Sequence, residues 1–115
     1  MIAVVAAVVV GSAAAGVRYV VSRTVASPWG VLLVNVVGSA IGGVVLGLAE
    51  RGAVGADIRL ILLGGLCGGL TTFSTFSVES IQLVVERKWR VALLSVGANL
   101  VLGIGAAALA YSITR

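Results

Sequence analysis

The sequence predicts an all-α membrane protein: four transmembrane helices in a single domain spanning 1–115, with the third helix broken. Three observations carry this. The chain is 60% hydrophobic and 10% charged, whereas a soluble domain carries about 25% charged residues; its mean hydropathy is +1.20. The apolar residues fall into four runs separated by short links, and each crossing of a bilayer needs about 20 of them. Inside the third run, Gly64-Gly65-Leu66-Cys67-Gly68-Gly69-Leu70-Thr71-Thr72-Phe73-Ser74-Thr75-Phe76-Ser77 sets glycines, hydroxyls and two phenylalanines among Val, Leu and Ala.

The first run covers about 3–21 and contains Ala13-Ala14-Ala15, a small-residue pattern like that of a signal-peptide cleavage site. The basic segment that precedes such a cleavable stretch is missing, so the run is expected to remain as the first membrane helix. The second, about 29–49, follows Ser27-Pro28, the third, about 58–85, follows Gly52 and Gly55, and the fourth, about 91–113, follows Glu86-Arg87-Lys88. Each link carries breakers or charge that stop a helix. The third run is long and glycine-interrupted, the pattern of two half-helices joined by a non-helical link. That link is expected near Gly68–Ser74. Irregular backbone at membrane depth is tolerated only where protein or a polar cavity covers it, so the break marks a functional region.

Orientation follows from Lys and Arg on the two sides of the membrane. Arg51, Arg59 and Arg115 fall on the side of the N-terminus; Arg18, Arg23, Arg87, Lys88 and Arg90 fall opposite. So small a difference permits insertion either way up, and with it an antiparallel dimer. The net charge of +4 does not point to nucleic acid, because the eight Lys and Arg are scattered and form no basic face. With no His, one Cys and no paired carboxylates in the apolar runs, the chain lacks the usual equipment of hydrolytic enzymes, disulfide frameworks and thiolate or imidazole metal sites.

Several residues have chemistry to offer. Asn35, Gly38, Ser39 and Gly42 share one stripe of the second run, and Ser95, Asn99 and Gly103 recur at steps of four on the fourth. Small residues let helices approach and amides hydrogen-bond across an interface; an amide is also a good anion donor. Phe73 and Phe76, three apart, share a face among Ser74, Thr75 and Ser77. They pack in a core or against lipid, or present positive ring edges to a small anion. Arg18 either snorkels to the headgroups or forms a vestibule charge that concentrates anions. Glu79 is an ionisable group inside a membrane segment, where such groups are costly and commonly functional.

The strings Gly68-Gly69-Leu70-Thr71-Thr72-Phe73-Ser74-Thr75-Phe76, Gly16-Val17-Arg18-Tyr19 and Asn35-Val36-Val37-Gly38 together resemble the CrcB/Fluc family of fluoride channels, and the resemblance spans all four segments. It implies a fluoride-selective channel that protects a bacterium from fluoride toxicity, resident in the plasma membrane and surrounded by lipid. It implies an antiparallel, dual-topology homodimer with two pores, or pairing with a related second subunit. Phe73, Phe76 and Asn35 match the family's pore residues, Ser74 and Thr75 its hydroxyl positions, and Arg18 and Glu79 positions near the ends of the path. The main-chain carbonyls of Gly68 and Thr71 match those that hold a structural sodium ion. The fourth helix departs from the pattern, with Ser95 and Asn99 where relatives often have Tyr and Ser. A small four-helix multidrug/proton antiporter is the alternative by size, but it is expected to carry an acidic residue in the first helix, and the first run has none.

Overall fold

The computed structural model describes all 115 residues, Met1–Arg115. It is all-helical. Four helical spans are long and apolar enough to cross a membrane: Ile2–Thr24, Trp29–Glu50, Ala56–Val85 and Trp89–Thr114. The expected runs match these within a few residues at each end.

Helix α1 (Ile2–Thr24) ends where Val25 turns extended ahead of Pro28. Helix α2 (Trp29–Glu50) starts immediately after that proline, which supplies no N–H and so suits a helix entrance. Its far end is closed by Gly52 at φ +76, with Ala53 N–H donating to the Leu48 carbonyl and Gly52 N–H to that of Ala49. This paired closure needs a left-handed residue, which glycine adopts without strain.

The third span is composite. Helix α3 (Ala56–Arg59) passes into a wide, π-type turn over Leu60–Cys67 and then a short α4 (Gly68–Leu70). The span bends at Thr71 and Thr72, both in extended conformations, and continues as α5 (Phe73–Val85). The two extended residues lie inside the expected Gly68–Ser74 window. The π-type turn was not anticipated: eight residues of apolar and glycine character carry no signal that separates i→i+5 from i→i+4 bonding. Helix α5 closes on Arg87, which adopts φ 60; Lys88 N–H donates back to the Leu83 carbonyl. Helix α6 (Trp89–Thr114) returns across the molecule.

Packing pairs α2 with α6, and α1 with the π-type turn and α4. Small residues set these approaches, as expected where lipid removes most of the hydrophobic drive and van der Waals contact decides. A Cβ on Gly69 would overlap the Gly11 backbone, and one on Gly43 would overlap the Ala107 carbonyl. The apolar centre is Ala14, Val34 and Leu70, joined by Val21, Ile41 and Leu66. It draws α1, α2 and the residues just before the bend onto one point. Only 16 of 115 residues are buried, so most of the side-chain surface of one copy is left for lipid or for a partner.

Candidate functional site

The polar residues gather around the bend, and Thr72 is where they meet. At Thr71-Thr72 the helical ladder lapses, and side chains from other spans replace it. Asn35, projecting from α2, accepts from the Thr72 N–H at 2.8 Å and donates to the Thr72 carbonyl at 3.3 Å. The same amide donates to Asn99 Oδ1 on α6 at 3.1 Å. Asn99 in turn donates to the Ser95 carbonyl at 2.8 Å. The stripes on the second and fourth runs therefore face each other and join through an amide pair.

Thr72 also caps α5. Its Oγ1 accepts from the Thr75 N–H at 3.2 Å, the usual service of a hydroxyl at a helix N-cap, and the same hydroxyl donates to Thr75 Oγ1 at 3.2 Å. Thr71 belongs to the incoming half. Its N–H and its hydroxyl both donate to the Cys67 carbonyl, at 3.0 Å and 2.9 Å. Arg18 reaches in from α1 and donates to the Thr71 carbonyl at 3.4 Å, so its guanidinium points to the bend.

Two clefts flank Thr72. The first, about 220 Å³, is lined by Arg18, Tyr19, Ser22, Gly30, Thr72, Ser74 and Thr75 among others, with no acidic side chain. The second, about 320 Å³, is lined by Asn35, Ser39, Thr71, Thr72, Phe73, Phe76, Asn99 and Leu100. The Phe73 and Phe76 rings lie 6.0 Å apart between centroids and tilted by 46°, within the range of interacting aromatic pairs. Phe73 is 79% exposed, Phe76 partly covered.

The candidate residues thus divide. Arg18, Ser74 and Thr75 share the first cleft; Asn35, Phe73, Phe76 and Asn99 share the second. Ser95 is buried and lines neither, serving through its carbonyl. Glu79 lies further along α5 outside both clefts, and its Oε2 is buried without a hydrogen-bond partner. The Gly68 backbone is exposed one turn before the bend. Sequence reasoning placed Ser39 on the polar stripe of the second run but did not single out Thr72. Thr72 was detectable in principle, as a hydroxyl residue directly before a helical stretch is an N-cap signature.

Fold and site together define a class, a multi-pass helical membrane protein whose polar groups converge on a bend in one span. The comparisons with known proteins narrow it. A family model described as CrcB-like protein, Camphor Resistance (CrcB), matches residues 5–111. The chain is 49% identical over 87 residues to the fluoride-specific ion channel FluC 1 of Thermobifida fusca, covering 75% of this chain and 68% of that one. It is 40% identical over 100 residues to the fluoride-specific ion channel FluC of Shewanella woodyi, covering 82% and 81%. The FluC of Shewanella loihica is 39% identical over 98 residues, covering 80% and 79%. The chain belongs to the CrcB-like family.

Proposed function

We propose that the chain is a subunit of a fluoride-selective channel in a bacterial plasma membrane, exporting fluoride and so protecting the cell. The observation that carries this reading is the second cleft, where amides, hydroxyls and two phenylalanines come together beside the bend, in a chain whose relatives are named fluoride-specific channels.

Fluoride is small and strongly hydrated, so a pathway must replace its water with donors, each weak enough to release it. Arg18 stands in the first cleft as a cation without an acidic neighbour and raises the local anion concentration there. Ser74 and Thr75 offer hydroxyls in the same cleft, and the Thr75 hydroxyl, having accepted from Thr72, keeps its own proton to donate. In the second cleft each primary amide has two N–H protons. Asn99 commits one to Ser95 and retains the other, while Ser39 adds a hydroxyl and Phe73 and Phe76 add positive ring edges. Glu79 lies toward the far end of this path. No fixed cation lines the second cleft, which suits release.

Two copies in antiparallel arrangement form two such pathways in this reading. The weak charge bias, the exposed Gly68 backbone and the mostly uncovered α1 support it. A structural sodium ion fits the carbonyls of Gly68 and Thr71, because carbonyl oxygens suit a hard cation and the end of α4 withholds the donors a continuing helix would send them. When bound, such an ion would supply a positive charge beside the bend. The remaining requirements are met by the chain itself: Asn35 and Thr72 hold the bend, and α2 and α6 line the path.

The test is anion efflux from liposomes containing the purified protein, with fluoride and chloride compared under matched conditions. Fluoride efflux well above chloride efflux is expected. A folded assembly that passes neither ion, with or without a coexpressed related subunit, overturns the proposal.

A further inference from the structure

We propose that Asn35 is the positioning residue that keeps the third span bent, by capturing the amide that would otherwise continue the helix and so leaving the Gly68 carbonyl free. In an unbroken α-helix the N–H of Thr72 would donate to the Gly68 carbonyl, and that of Thr75 to the Thr71 carbonyl. Here both donors are diverted to side chains. The Thr72 N–H goes to Asn35 Oδ1 at 2.8 Å, and the Thr75 N–H goes to Thr72 Oγ1 at 3.2 Å. The carbonyls released are those of Gly68 and Thr71. Neither accepts any backbone bond made outside the regular helices, and Thr71 receives only the long bond from Arg18 at 3.4 Å, which leaves a second lone pair.

Asn35 is committed to this task on every polar atom. Its oxygen holds the Thr72 N–H, and the two protons of its amide go to the Thr72 carbonyl and to Asn99 Oδ1. It brackets one residue of the bend from both sides, as a neighbouring strand would. Thr72 is 7% exposed and an unpaired buried N–H is costly, so loss of the bracket leaves the bend without its anchor and the Thr72 amide open to exchange from the clefts it lines. The anion path and the carbonyl site are therefore coupled through one side chain. The use of the freed carbonyl by a cation rests on the sodium reading above; the bracket does not.

The experiment compares Asn35→Leu with Asn99→Leu in the full-length protein. Amide hydrogen exchange at Thr72 is followed by NMR in micelles, and the thermal midpoint is measured against sodium chloride, with N-methylglucamine chloride as the control. Asn99→Leu removes the amide pair but keeps both bonds to Thr72, so exchange and half-saturating sodium should stay within about twofold of the parent. Asn35→Leu should raise both by about tenfold, equivalent to about 1.4 kcal/mol. If Asn35→Leu does not fold, Asn35→Ala, which also lacks the amide, takes its place with the same expected result. A Thr72 amide as protected in the Asn35 variant as in the parent overturns the proposal, as does an equal response in both variants. A parent protein whose midpoint ignores sodium overturns the cation reading alone, since the exchange comparison still decides the bracket.

Discussion

Gly38→Ala is a one-methyl change that should disable the site from a distance. Gly38 lies one turn beyond Asn35 on α2 and is buried. A Cβ there would overlap Thr71 Cγ2, with Thr71 Cβ at 3.7 Å and the Cys67 carbonyl at 3.8 Å. Thr71 cannot swing its methyl aside freely, because its hydroxyl is held on the Cys67 carbonyl at 2.9 Å. The strain must therefore push α2 off the bend. Overpacking of this kind costs about 1–3 kcal/mol, and loss of one Asn35–Thr72 bond adds about 0.5–1.5 kcal/mol. A destabilisation of about 1.5–4.5 kcal/mol is expected on these two terms, read from detergent-titration unfolding of the purified protein and accompanied by a loss of fluoride efflux. Thr71→Ser removes Cγ2 and keeps the hydroxyl, so the double variant should recover most of both properties. A Gly38→Ala protein within about 0.5 kcal/mol of the parent and fully conducting, or a double variant no better than the single one, would refute the reasoning.

Three further outcomes are expected. Phe76→Ile should abolish fluoride efflux while leaving the assembly's size on gel filtration unchanged, since an aliphatic side chain lacks the positive ring edge. Arg18→Gln should slow fluoride entry by about tenfold at low ionic strength and by much less in high salt, because attraction by a single mouth charge is screened; the salt series of efflux rates checks it. Arg87→Gly should stabilise the protein by about 0.5–1 kcal/mol, as Arg87 adopts φ 60 and glycine removes the Cβ penalty there; thermal unfolding measures it.

The four spans were legible because hydropathy over some twenty residues is a local property, and the bilayer imposes that length. The polar stripes were legible for a similar reason, since positions three and four apart share a helix face. Asn35 with Ser39, and Ser95 with Asn99, lie as that periodicity requires. Glycine content and length also placed the bend of the third span within a few residues.

Helical periodicity cannot be carried across Thr71 and Thr72. Two extended residues reset the phase, so the spacing that puts Phe73 and Phe76 on one face says nothing of which earlier residues they meet. For that reason the division of Ser74 and Thr75 from Phe73 and Phe76 into two clefts, and the position of Thr72 between them, emerged only from the packed spans. The bonds that shape the site are long-range: Asn35 meets Thr72 across 37 residues and Asn99 across 64. By itself the sequence determined a four-span membrane protein with a weak point in its third span and polar residues on two faces. Only the tertiary structure decided that those faces meet at the weak point, because buried backbone amides that lose their helical partners must find new ones, and the partners within reach are set by how the spans pack.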